Sequence, residues 1–149
     1  HLADFGLSRL ILPFDTHVST ELVGTLGYIP PEYGQSWQAT RKGDVYSFGV
    51  VILELLTRKR PVDVCKPTGC RDLVAWVQQM RSEGKHDQVF DPLMRNKGYE
   101  EQMSQVLDIA CTCLNQNPSK RPAIQVVVSW LENVGVNAQQ IKVHPIADE

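Results

Sequence analysis

The amino-acid sequence predicts a mainly α-helical fold in which a long loop leads into a helical body. Residues 1–40 are rich in Gly, Pro, Ser and Thr and show little helical periodicity, the pattern of an extended segment. The stretch DVYSFGVVILELLT, from Asp44 to Thr57, is apolar around almost its whole circumference, with Glu54 the only charge inside it. Further along, apolar residues recur at helical spacing in several separate runs.

A loop as long as residues 1–40 is uncommon in a compact domain and is usually functional where it occurs. The run beginning at Asp44 contains β-branched residues, but its length favours a helix, and its uniform apolarity predicts burial on all sides. It should stop near Arg58-Lys59-Arg60-Pro61, where cations suit the carbonyl end of the dipole and Pro forbids continuation. After a loop over 62–69, Asp72 can cap a helix carrying Leu73, Trp76, Val77 and Met80, with Gly84 ending it. HDQVFDPLMRNKGYE reads as an irregular link. An amphipathic helix follows near residues 100–116, with Met103, Val106, Leu107, Ala110 and Leu114 on one face. NPSKRP interrupts it, and Pro122 suits the first position of a last helix bearing Ile124, Val127, Val128 and Leu131. The boundaries expected are 1–134 for one domain, divided at residue 40 into segment and helical body, and 135–149 for a polar tail.

Composition narrows the function classes. The 149 residues suit one domain, and the net charge of −2 gives no electrostatic reason to expect nucleic acid as a partner. The longest apolar run, Val50 to Leu56, is broken by Glu54 and is too short to span a bilayer. Cys65 and Cys70, and Cys111 and Cys113, lack the C-x2-C spacing common at zinc sites, so incidental reduced thiols are the expectation. Helical spacing assigns Trp76 and Trp130 to core or groove positions, and Trp37 lies in the early segment. The first Met is Met80, so the chain is expected to be a piece of something longer.

Asp4-Phe5-Gly6 stands at the start and Pro30-Pro31-Glu32 roughly two dozen residues later, in the order and spacing of D-F-G and A-P-E at the ends of a kinase activation segment. With DVYSFGVVILELL and NPSKRP behind them, these residues resemble the C-terminal lobe of a eukaryotic protein kinase. GTLGYIPPEY, TRKGDVYSFGVVILELLT and NPSKRP resemble the plant receptor-like kinases, and VCKPTGCRDLVAWV is most similar to leucine-rich-repeat receptor kinases of the phytosulfokine-receptor type. The resemblance runs from His1 to about Val134. Pro30 replaces the small first residue of A-P-E and leaves the glutamate in place.

The resemblance implies roles for matching residues. Asp4 would hold Mg²⁺ bridging ATP phosphates, since a hard cation takes oxygen ligands; without Phe5-Gly6 it would read as a loop aspartate capping a turn. Phe5 would pack differently in active and inactive arrangements, and Gly6 would let the backbone turn. Pro31 and Glu32 would close the activation segment, with Glu32 and Arg121 forming a buried ion pair that ties it to the last helices. Asp44 would accept backbone hydrogen bonds from the catalytic loop, and it also reads as a plain N-cap. Ser19 and Thr20 are candidate phosphosites, as are Thr25 and Tyr28. Thr25 in GTLGY would also shape a serine/threonine substrate site.

Phosphoryl transfer in this family also uses a Gly-rich loop, a strand lysine paired with a helix glutamate, and an H-R-D-x-x-x-x-N loop, none of which occurs in the sequence. The expectation is therefore a serine/threonine kinase fragment that is inactive alone and binds ATP and Mg²⁺ poorly, although the full-length parent would use both. The parent would sit at the plasma membrane with this part on the cytoplasmic side, acting on protein substrates and co-receptor kinases; the fragment itself would be soluble and cytoplasmic. Without the elements that precede D-F-G, part of the central helix should face water. Two other readings stand beside this one: a non-catalytic binding module or phosphoacceptor engaging kinases, and a pseudogene or gene-model remnant.

Overall fold

A computed structural model of the protein describes residues 17–19, 27–34, 38–62 and 72–136. Their elements are strands β1 (His17–Ser19) and β2 (Gln38–Thr40) and helices α1 (Arg41–Thr57), α2 (Leu73–Ser82), α3 (Glu100–Cys113) and α4 (Ile124–Glu132), with 3-10 turns at Pro31–Gly34, His86–Val89 and Pro118–Lys120. The helical body expected over the later chain is present, and the early segment differs from a plain loop. β1 pairs antiparallel with β2 in the register His17–Thr40, Val18–Ala39 and Ser19–Gln38, which brings two distant parts of the segment together.

α1 is the centre of the body. Val50 and Leu53 are fully buried, and with Tyr46, Ile52 and Leu56 they pack on Leu107, Ala110 and Leu114 of α3 and its end, Leu73, Val74 and Val77 of α2, and Val89 and Phe90 of the link. Each buried Val, Leu, Ile or Phe among them contributes about 1.5–3 kcal/mol by leaving water. Gly49 sets the distance between α1 and α3: a Cβ there would lie 2.9 Å from Cys113 Cβ and 3.0 Å from Leu114 Cγ. A second cluster of Val45, Ile109, Cys113 and Val127, lined by Trp130 and Leu131, seats α4 on the other side.

Local chemistry explains most ends. Asp72 caps α2 by accepting from the Val74 amide at 3.1 Å, and Gly84 follows the helix at φ +70°. Arg58, at φ 56°, ends α1 with its amide on the Glu54 carbonyl at 2.8 Å, just ahead of Pro61. Asn117 accepts from the Ser119 amide at 3.0 Å and starts the turn in NPSKRP.

Four expectations need correction. α1 begins at Arg41, so Asp44 is not its cap; Thr40 is, accepting from the Gly43 amide at 2.9 Å. The polar Arg41-Lys42-Gly43 turn carries no apolar periodicity and is hidden from a pattern reading. Burial of α1 on all sides, read from its apolar pattern, does not hold, whereas the expectation that part of it faces water does: Phe48, Val51 and Leu55 are 37%, 39% and 71% exposed. The helix placed near 100–116 ends at Cys113. α4 starts at Ile124 after an extended Ala123, so Pro122 precedes the helix and is not its first residue.

Candidate functional site: the segment 27–34 and its seat

Segment 27–34 is held on the helical body at several points. Gly27 lies at φ +92°, and a Cβ on it would fall 2.7 Å from Pro61 Cβ and 2.8 Å from Val62 Cγ2. Only glycine lets the chain turn this way and press so closely on the loop after α1. The Tyr28 carbonyl accepts from Ser47 Oγ at 2.8 Å, and the Tyr28 hydroxyl donates to Glu54 Oε2 at 2.6 Å. The Glu54 carboxylate, acting first through this hydrogen bond, and partial burial together raise the Tyr28 phenol above its ordinary range. Pro30 is buried and its carbonyl accepts from the Tyr33 amide at 3.1 Å, which shapes the turn Pro31–Gly34. Tyr33 Oη accepts from the Thr40 amide at 2.8 Å, and the Tyr33 ring occupies the space where a side chain at Gly43 would go.

Glu32 and Arg121, far apart in sequence, meet in a bidentate ion pair with N–O distances of 2.6 and 2.7 Å. The Arg121 side chain is 0% exposed and that of Glu32 is 21% exposed. Arg121 Nε donates to the Asn115 carbonyl at 2.8 Å and one terminal nitrogen to the Lys42 carbonyl at 3.0 Å. Its guanidinium lies 4.9 Å from the Tyr46 ring centre, and the Lys42 ammonium returns a hydrogen bond to the Arg121 carbonyl. The planar fork is matched by a carboxylate, two carbonyls and an aromatic face, which is how a fully buried guanidinium is tolerated. One side chain thus joins segment 27–34, the first turn of α1 and the turn before α4.

Asp44 lies in the first turn of α1, exposed as a whole residue, while the chain packed around its carboxyl raises the group above the usual carboxylate range. It begins a stripe that continues through the exposed Phe48, Val51 and Leu55, all on one face of the helix. Of the other residues singled out in the sequence, Asp4, Phe5, Gly6, Thr20 and Thr25 lie outside the described residues, as do Trp37, Cys65 and Cys70. Ser19 ends β1 with its backbone opposite Gln38. Pro31 is exposed at the start of its turn. Trp76 packs against the main core beneath the Lys59 ammonium, 5.2 Å away, and Trp130 lines the second cluster.

Sequence reasoning missed Glu54, Thr40, Tyr33 and Lys42 as holding residues. For Glu54 a signal was present, since a lone carboxylate in an apolar helix needs a partner. Among the described residues no group of three His, Cys, Asp or Glu side chains could hold a metal ion, and no helix is long and apolar enough to cross a membrane. What these residues supply is a rigid seat for segment 27–34.

Residues 1–131 match the family model described as Protein kinase domain, and the chain belongs to that family. Its relatives include plant leucine-rich-repeat receptor kinases. It is 65% identical over 134 residues to Phytosulfokine receptor 1 of Arabidopsis thaliana, covering 90% of this chain and 13% of the receptor. To Phytosulfokine receptor 2 of the same plant it is 55% identical over 140 residues, covering 94% of this chain and 14% of the receptor. The chain therefore spans about one-seventh of these relatives. Among solved structures, it is similar to the pseudokinase domain of BIR2, described as an immune regulator of the RLK/Pelle family. The TM-score is 0.67 with 36% identity, covering 74% of this chain and 33% of that one.

Proposed function

We propose that this chain is the substrate-docking and regulatory part of a plant receptor-type serine/threonine kinase domain, and that alone it does not transfer phosphate. The observation that carries the reading is the Glu32–Arg121 pair, which anchors segment 27–34 across the body in a chain whose first 131 residues match the kinase family. In the full-length parent, Asp4 would hold Mg²⁺, Phe5 and Gly6 would set the state of the segment, and Ser19 and Thr20 would accept activating phosphates. Thr25 would shape a site for protein serine and threonine. Mg²⁺ supplies charge neutralisation on ATP when bound; the other parts named for this chemistry are not among these residues, so the chain binds neither group well by itself.

The parent acts at the cytoplasmic side of the plasma membrane on protein substrates and co-receptor kinases. Positioning and electrostatics by many groups together carry this chemistry, so a partial set gives no weak version of it. The test is incubation of the purified chain with labelled ATP, Mg²⁺ and serine-containing peptides. No transfer is expected, and transfer that Asp4→Asn abolishes would overturn the proposal. A second reading, a non-catalytic binding module, draws support from the likeness to a pseudokinase domain. It is favoured if joining the chain to the upstream kinase segment of a relative yields no activity while a kinase partner still binds the chain.

A further inference from the structure

We propose that the loop Arg58-Lys59-Arg60 is a docking site for acidic peptide, binding the aspartate and glutamate side chains that flank the serine or threonine of a protein substrate. The inference rests on the reading of this chain as the substrate-docking part of a kinase domain and names the class of substrate that part selects.

The three cations follow one another directly after α1 and all are exposed, the Arg58 side chain at 71%. Among the described residues none of the three side chains makes a hydrogen bond. Arg58 meets Asp91 at 3.9 Å, the outer limit of an ion pair, and the Lys59 ammonium rests 5.2 Å over the Trp76 ring. Arg81, Arg95 and Arg121 differ, since each donates to an oxygen of the chain. The carboxylates around the loop have donors of their own: Glu54 accepts from Tyr28, Asp72 from the Val74 amide and Asp91 from the Leu93 amide. The dipole of α1 favours cations at this end but fades within the last turn, and Arg60 stands beyond it.

The loop is held in one shape before any ligand arrives. Arg58 is fixed in the left-handed region, at φ 56°, by its amide bond to the Glu54 carbonyl, a conformation that glycine adopts more readily. The Lys59 amide donates to Thr57 Oγ1 at 3.1 Å. The Pro61 carbonyl accepts from the Leu73 amide at 3.0 Å, and Val62 bridges to Asp72. Gly27 presses on Pro61 and Val62, so the cations stand next to the start of segment 27–34.

Exposed guanidinium and ammonium groups bind carboxylates at little desolvation cost, and a guanidinium can take both oxygens of one carboxylate. Each exposed pair is weak alone, so selectivity comes from several acidic side chains meeting several cations at once. A loop already ordered loses little freedom in doing so. The net charge of −2 works against a large polyanionic surface, which leaves a short acidic peptide as the partner that fits.

The test titrates the 149-residue chain into a fluorescein-labelled peptide with one serine flanked by glutamates, at low salt, and reads anisotropy. The same peptide with glutamine for every glutamate is the control and should not bind. Arg58→Gln, Lys59→Gln and Arg60→Gln together should weaken binding about tenfold, at two- to threefold for each exposed pair. An equal loss of charge elsewhere, through Arg41→Gln, Lys97→Gln and Lys120→Gln, should leave binding within about twofold. Equal weakening by both sets, equal binding of the glutamine peptide, or no binding of the glutamate peptide would overturn the proposal. So would capture of phosphatidylserine vesicles without capture of the glutamate peptide. Should the loop variant not fold, hydrogen exchange of the unaltered chain decides: added glutamate peptide should slow amides over 57–62, and slowing confined elsewhere would overturn the site. Phosphate transfer by the chain joined to an upstream kinase segment, without glutamate-peptide binding, overturns this site alone. Binding at the loop in a joined protein that transfers nothing overturns the kinase reading and leaves an acidic-peptide site.

Discussion

Replacing Glu32 by alanine strands a guanidinium that has no contact with water. Arg121 is 0% exposed at its side chain, and two of its hydrogen bonds, at 2.6 and 2.7 Å, go to that one carboxylate. What remains is the Asn115 carbonyl, the Lys42 carbonyl and the face of Tyr46. Removing one partner of a buried pair costs about 3–5 kcal/mol. Glu32 is 21% exposed and two carbonyl bonds survive, so the lower end, about 3 kcal/mol, is expected for Glu32→Ala. Against a domain stability on the order of 5–15 kcal/mol this is a large loss. It should lower the melting temperature by roughly 6–12 °C, at about 2–4 °C per kcal/mol for a chain of this size. Urea unfolding followed by Trp fluorescence measures it. Combining Glu32→Ala with Arg121→Met should cost less than the two single changes added together, because the second removes the charge the first strands. A Glu32→Ala cost under about 1 kcal/mol, the level of an exposed ion pair, or strict additivity, would refute the reasoning.

Three further outcomes can be checked on the same chain. Gly49→Ala gains about 1 kcal/mol of helix propensity but sets a Cβ 2.9 Å from Cys113 Cβ and 3.2 Å from the Ala110 carbonyl, so a net loss of about 1–2 kcal/mol is expected in urea. Burial, with a smaller effect from Cys111, pushes the Cys113 thiol up to about 11 from an ordinary 9.0. An acid raised on folding contributes stability that is whole below its unfolded pKa and lost as pH climbs through its folded one. The urea midpoint should therefore hold through pH 8 and fall from about pH 9 to 11, and Cys113→Ala should flatten that part of the fall. Leu55 is 71% exposed, so Leu55→Lys should change stability by less than about 0.5 kcal/mol while reducing light scattering at high concentration.

Legibility in the sequence followed the range of the interaction. Asp72 and Gly84 act within a turn of their own helix, so their residue types announce them. The start of α1 stayed hidden because Thr40 caps a polar turn, and helical pattern reading follows apolar residues. The contact between Glu32 and Arg121 spans the body and could be anticipated only through motif order, since nothing local to either residue points to the other. Glu54 carried half a signal: its isolation among apolar residues called for a partner, but Tyr28 in a loop gave no sign of being that partner. Uniform apolarity of α1 pointed to burial all round, whereas among the described residues Phe48, Val51 and Leu55 are exposed. Asp4, Phe5 and Gly6, which carried the family resemblance, lie outside the described residues, so motif and seat meet only through the family to which the chain belongs.

The most direct test of the proposed function is labelled phosphate transfer by this chain alone and by the same chain joined to the upstream kinase segment of Phytosulfokine receptor 1, to which it is 65% identical. The expected result is no label on serine peptides from the chain alone, and label from the joined protein that Asp4→Asn removes. Label from the chain alone, or none from the joined protein with Asp4 intact, would contradict it.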